Sequence, residues 1–126
     1  MLQFLWEQQF LQHGLQHRKK LWIIYLKNQN EMYTNLDSVL NQQIRLAIVS
    51  ILIKVNKADF NFLKEQTQTT QGNLSHQLKK LKEAGYISIN KTFEKNYPKT
   101  YCSLTSRGKK AFEDYVEQMK RYLNLN

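Results

Sequence analysis

The chain has 126 residues, with 19 Lys and Arg against 10 Asp and Glu and a net charge of +9. That length holds one domain with a small core and excludes two. Its single cysteine, Cys102, excludes a disulfide within the chain and fits a reducing compartment, so a cytoplasmic location is expected.

Residues Met1 to Glu31 differ in composition from the rest, being rich in Gln, Leu and aromatic residues. Their apolar run, Leu21 to Leu26, is six residues long, and spanning a bilayer takes about 20. Polar interruptions also exclude a secretory signal, which needs about 7–15 apolar residues in a row, and no membrane partner is expected. His13 and His17 have the i, i+4 spacing that can grip a metal, yet they lack a third ligand and no paired-cysteine motif exists. No metal or other cofactor is therefore expected. Two readings of residues 1–31 stay open. Phe4, Leu5, Trp6, Leu21, Trp22 and Ile23 can build a helical arm that packs across a dimer, or Met32 is the native start and the extension lies outside the protein.

The domain proper is expected over residues 32–126. Leu36, Val39 and Leu40 suggest a short helical piece. Asn41 can cap a helix from Gln42 to about Lys54, whose sequence is apolar almost all round and belongs at the centre of the core. Ala58 to Thr69 reads as a short amphipathic helix with Asp59 at its start and Phe60 and Leu63 as apolar anchors. A brief turn around Thr67, Gln68 and Thr69 follows, and Thr69 or Thr70 can cap the next helix. That helix, Thr70 to Ala84, places Leu74, Leu78 and Leu81 at the i, i+4, i+7 spacing of a buried face. At about 100° per residue, Gly72, Asn73, His76, Lys79 and Lys80 gather opposite. Two short helices joined by a turn of about 3–4 residues make a helix-turn-helix.

Gly85 is placed to end the second helix in the left-handed conformation. Tyr86 to Phe93 then alternates, with Ile87 and Ile89 on one face. Glu94 to Lys99 is turn-rich and holds the only proline, and Thr100 to Thr105 returns with Cys102 and Leu104 on a common face. This is a hairpin with a basic tip behind a helix-turn-helix: a wing. Between Thr69 and Lys110 stand nine basic and two acidic residues, which supply +7 of the net +9. A basic stripe over such a motif is the footprint expected for nucleic acid. The last helix starts at Thr105 or Ser106 and runs to about Leu123, with Phe112, Tyr115, Val116, Met119 and Leu123 in one apolar stripe.

From about Asn35 to Leu123 the chain resembles the small bacterial winged helix-turn-helix transcriptional regulators of the MarR and ArsR type. The carrying pieces are LNQQIRLAIVSIL, FNFLKEQTQTTQGNLSHQLKKLKEAGYI and YPKTYCSLTSRGKKAFEDYV. The resemblance implies a mainly α fold with a small β-hairpin wing, and a homodimer whose terminal helices form the interface. The cysteine-based metal site of many ArsR-type sensors is absent. The expected function is a sequence-specific regulator of transcription, a dimeric repressor on double-stranded DNA, and not an enzyme. Helix 70–84 would read the major groove and the wing 86–104 the backbone or minor groove. The residues expected at DNA are Thr69, Gln71, Gly72, Asn73, Ser75, His76, Lys79 and Lys80, with Lys91, Lys95 and Lys99 of the wing. The stripe Phe112, Tyr115, Val116, Met119 and Leu123 is expected at the dimer interface. The rival reading is a winged helix used for protein–protein contact, which would show apolar groups on the exposed helix face. Operator, regulated genes and any small-molecule effector are not legible in these residues.

Overall fold

The apolar helix α1 (Gln43–Val55) runs through the middle of the domain, with Ile48, Val49 and Leu52 fully enclosed. The computed structural model describes residues 19–23 and 36–125. Residues 19–23 are helical, with Leu21 and Ile23 exposed. Phe4, Leu5, Trp6, the His13–His17 pair and Met32 lie outside the described residues. After α1 come β1 (Lys57–Asp59), α2 (Phe60–Thr67), α3 (Gln71–Glu83), β2 (Ile87–Glu94), β3 (Tyr97–Leu104) and α4 (Ser106–Tyr122). The three strands form an antiparallel sheet in the order β1-β3-β2. Among the described residues no helix is long and apolar enough to cross a membrane.

Three expectations need correction. The piece at Leu36, Val39 and Leu40 is one turn and not a helix. Asp37 Oδ1 accepts from the Val39 and Leu40 amides at 2.8 and 3.1 Å, and the Asn41 amide closes onto Asp37 O at 2.9 Å. The cap of α1 is Gln42 and not Asn41, because Gln42 Oε1 accepts from the Arg45 amide at 2.8 Å. Asn41 Oδ1 instead accepts from the Tyr115 hydroxyl at 3.2 Å. Ala58 is not helical: it lies in β1, opposite Cys102, and is buried. A three-residue strand is too short to show alternation, so only its pairing with β3 reveals it.

The core joins Ile48, Val49 and Leu52 of α1 with Leu63 of α2, Leu74, Leu78 and Leu81 of α3, Ile87 and Cys102 of the sheet, and Tyr115 of α4. Ile87 faces Leu104 and Ile89 faces Cys102 across the hairpin, so one face of the sheet covers the helices. Gly108 is needed where α4 meets the chain before β2. A Cβ there would stand 2.1 Å from Tyr86 O and 2.9 Å from Leu104 Cδ1. Thr105 caps the same helix end, accepting from the Gly108 amide at 3.0 Å and donating to Gly85 O at 2.6 Å.

Candidate nucleic-acid interface

Helices α2 and α3 are separated by Gln68, Thr69 and Thr70, with Gln68 in the left-handed conformation that turns the chain. Both helix starts are capped. Asp59 Oδ1 accepts from the Phe62 amide at 2.7 Å, and Thr70 Oγ1 accepts from the Asn73 amide at 3.1 Å. These bonds satisfy amides that a helix N-terminus leaves open. The end of α3 closes as the sequence requires. Gly85 has φ +79°, its amide reaches Lys82 O at 2.9 Å, and the Tyr86 amide reaches Leu81 O at 3.0 Å. This paired arrangement is a Schellman motif, and it delivers the chain straight into β2.

With the leucines buried, Gln71, Gly72, Asn73, Ser75, His76, Lys79 and Lys80 are exposed along α3. Thr69 is half-buried at its foot. The polar face divides into two flanks and a crest. Gln71 and Ser75 face the hairpin, where they line a cleft of about 410 Å³ with Lys91, Lys99 and Thr100. Gly72 lies on the crest, and a Cβ built there would meet nothing within 4 Å. On the far flank a side-chain relay ties the helix to α1. Asn73 Nδ2 donates to Thr69 Oγ1 (2.8 Å) and Gln77 Nε2 donates to Asn73 Oδ1 (3.0 Å). Arg45 Nη1 donates to Gln77 Oε1 (2.7 Å) and Arg45 Nε donates to Val39 O (2.6 Å).

The hairpin turns on Lys95 and Asn96 alone, with φ +52° and +68°. Positive φ at both central residues is the type I′ pattern that matches strand twist. The turn is therefore tighter than the sequence suggests, and Tyr97 and Pro98 are already in β3. Lys91 and Lys95 are exposed. Lys99 is partly engaged inside the protein: its Nζ lies 3.5 Å from Asp59 Oδ2 and 3.4 Å from Glu94 Oε2. Because Asp59 also caps α2, this pair links the wing to the helix-turn-helix. Glu94 in turn accepts from the Tyr101 hydroxyl at 2.6 Å, and Lys57 Nζ sits 4.2 Å over the Tyr101 ring. The Tyr101 bond, and then the Lys99 charge, hold the Glu94 carboxyl below its ordinary pKa, while Tyr101 and Glu94 raise that of Lys99.

A capped helix-turn-helix, with a polar helix face beside a basic two-stranded wing, is thus on view. The family profile of the winged helix DNA-binding domain matches residues 44–123, from α1 through α4. The chain belongs to that family. An uncharacterised protein of Methanocaldococcus jannaschii is 36% identical over 81 residues, which cover 64% of this chain and 88% of that protein. Among solved structures, a transcriptional regulator homologue from Pyrococcus horikoshii OT3 is similar with a TM-score of 0.67 at 22% identity, over 75% of this chain and 92% of that one. Bacillus subtilis PadR, solved in complex with operator DNA, is similar with a TM-score of 0.54 at 20% identity, over 60% of this chain and 48% of that one. Solved regulators of the MarR and PadR families share the winged-helix fold.

In this winged helix the stripe on α4 is divided. Tyr115 is only 4% exposed and is spent on the domain's own core and on Asn41. Phe112 and Met119 are half-buried against the core, and Leu123 is 61% exposed. Together with Val116, Leu46 and Leu125 they line an apolar groove of about 310 Å³. The sequence-based set also lacks four residues that the structure brings forward. Phe93 and Tyr97 flank the wing tip and are 78% and 75% exposed; Phe93 shares the strand face of Ile87 and Ile89 but lies past the edge of the core, and Tyr97 stands in the stretch that reads as a turn. Arg45 and Gln77 are 32 residues apart and have no local signal.

Proposed function

We propose that this winged helix is a sequence-specific regulator of transcription that binds duplex DNA as a two-fold dimer. The observation that carries the reading is the exposed face of α3, where Asn73, His76, Lys79 and Lys80 stand open on the helix whose Gln71 and Ser75 face the basic wing. Amide, imidazole and ammonium groups are those that contact base edges and phosphates. Helix α3 enters the major groove with its N-terminal half over the bases, and Lys79 and Lys80 lie near phosphates. Gln71 and Ser75 lie at the groove wall, and Lys91 and Lys95 hold the flanking backbone or minor groove. Lys99, already paired with Asp59 and Glu94, is more constrained in reaching phosphate than Lys91 and Lys95. That the fold is shared with a PadR solved on operator DNA supports this placement. The apolar groove beside Val116, Met119 and Leu123 supports a second copy as partner, which would set two α3 helices about 10–10.5 base pairs apart, or a multiple of that.

Selecting bound fragments from genomic DNA, followed by anisotropy titration in rising salt, tests the reading. A selected sequence should bind far more tightly than random duplex, and log K should fall by about 0.9 per neutralised phosphate for each unit of log salt. Absence of duplex binding at low salt would overturn it. The second reading, a protein-binding module, is favoured by one observation, the exposed Phe93 and Tyr97 at the wing tip. Its apolar contact sits on the hairpin and not on α3. Replacing both aromatics with Ser would then abolish partner binding and leave DNA affinity unchanged.

A further inference from the structure

Gln77 is the buried polar side chain among the leucines of α3, 7% exposed, with Arg45 on one side and Asn73 on the other. A buried amide costs free energy unless it is bonded, and an apolar residue would fill the same space without that cost. What the amide gains is direction. A guanidinium only donates, so Arg45 Nη1 obliges Gln77 to turn its Oε1 toward α1. Gln77 Nε2 must then face Asn73, whose Oδ1 accepts, and Asn73 Nδ2 is directed at Thr69 Oγ1. A flipped Asn73 would set two NH2 groups against each other. The second Arg45 bond, to Val39 O at 2.6 Å, keeps the guanidinium from turning away.

A carboxamide has two donor hydrogens and two acceptor lone pairs. Among the described residues the relay uses one of each on Asn73, leaving one acceptor on Oδ1 and one donor on Nδ2 of an exposed residue in the first turn of α3. That pair matches the major-groove edge of adenine, which offers the N6 donor and the N7 acceptor. We propose that Arg45, acting through Gln77, holds the Asn73 amide in the orientation that reads an adenine, making both positioning residues for sequence recognition. The inference rests on the DNA-binding reading above and adds the base and the residues that select it.

The test uses the full chain and a duplex selected by the wild type from a random library, with each base pair changed in turn and binding read by anisotropy. One A·T pair should carry the Asn73 contact. Changing it, or replacing its adenine by 7-deazaadenine, should cost the wild type about 5- to 150-fold in affinity. Asn73→Ala should be indifferent to both changes. Gln77→Glu keeps an acceptor for Arg45 but has no donor for Asn73, so it should lose the same preference, read as the ratio of affinities for the two base pairs, whatever its added charge does to all duplexes alike. Should Gln77→Glu fail to fold, Arg45 gives a second comparison. Arg45→Lys, still only a donor, should retain the adenine preference, and Arg45→Met should lose it. The proposal is overturned if Gln77→Glu or Arg45→Met keeps the wild-type preference at that pair, or if Asn73→Ala changes no adenine position. If the wild type selects no sequence at all, the DNA-binding reading fails and the relay inference falls with it.

Discussion

Gly72→Ala separates stability from DNA contact. Gly72 is the second residue of α3, its φ is not positive, and an added Cβ meets nothing within 4 Å. Alanine therefore fits the folded backbone, and by restricting the unfolded chain it should stabilise the domain by about 0.5–1 kcal/mol. At about 4–8 °C per kcal/mol for a domain of this size, the melting temperature should rise by about 2–8 °C. On DNA the sign reverses. The open space above Gly72 is where the major-groove edge must lie if α3 reads it, and a methyl group pressed into a packed contact costs about 1–3 kcal/mol. That corresponds to roughly 5- to 150-fold weaker binding. Far-UV circular dichroism against temperature gives the first quantity, and anisotropy with a selected duplex gives the second. A higher melting point with unchanged affinity would refute the placement of this face against DNA. A lower melting point would refute the open environment of Gly72 itself.

Gly108→Ala should act in the opposite way, because the new Cβ collides with Tyr86 O; a loss of about 3 kcal/mol, at the upper end of overpacking costs, is expected in urea unfolding. Lys95→Ala, at the exposed wing turn, should weaken selected and random DNA alike and reduce the salt slope by about 0.9 for each phosphate no longer neutralised. Polar replacement of Val116 and Met119 together should yield folded monomers in sedimentation, with Tyr115 still anchoring α4 through the core; a wild type that is itself monomeric would remove the dimer from the proposal. Burial raises the Cys102 thiol to about 11, so native protein should resist thiol reagents at neutral pH and react only as fast as it opens. The same shift favours the folded state below pH 9, the ordinary thiol value that the unfolded chain keeps, and that contribution should be lost as pH rises from 9 to about 11.

What the sequence determined by itself is local. The leucine spacing of α3, the caps at Asp59 and Thr70, and the Gly85 exit each depend on residues within one or two turns. Hydrogen bonds and periodicity at that range are written in consecutive residues, so the helix-turn-helix and its wing are legible in the chain alone. The exposed face of α3 follows from the same spacing. Tertiary structure decided the rest. Strand β1 exists because Ala58 meets Cys102 in register from a distant part of the chain, and three residues cannot announce such a pairing. Lys99 looks like any wing lysine until Asp59 and Glu94 converge on it, and Tyr115 looks like part of an exposed stripe until Asn41 and the core enclose it. The orientation of Asn73 depends on Arg45, which lies on another helix. These contacts join groups far apart in the chain, and only the packed fold brings them within hydrogen-bonding distance.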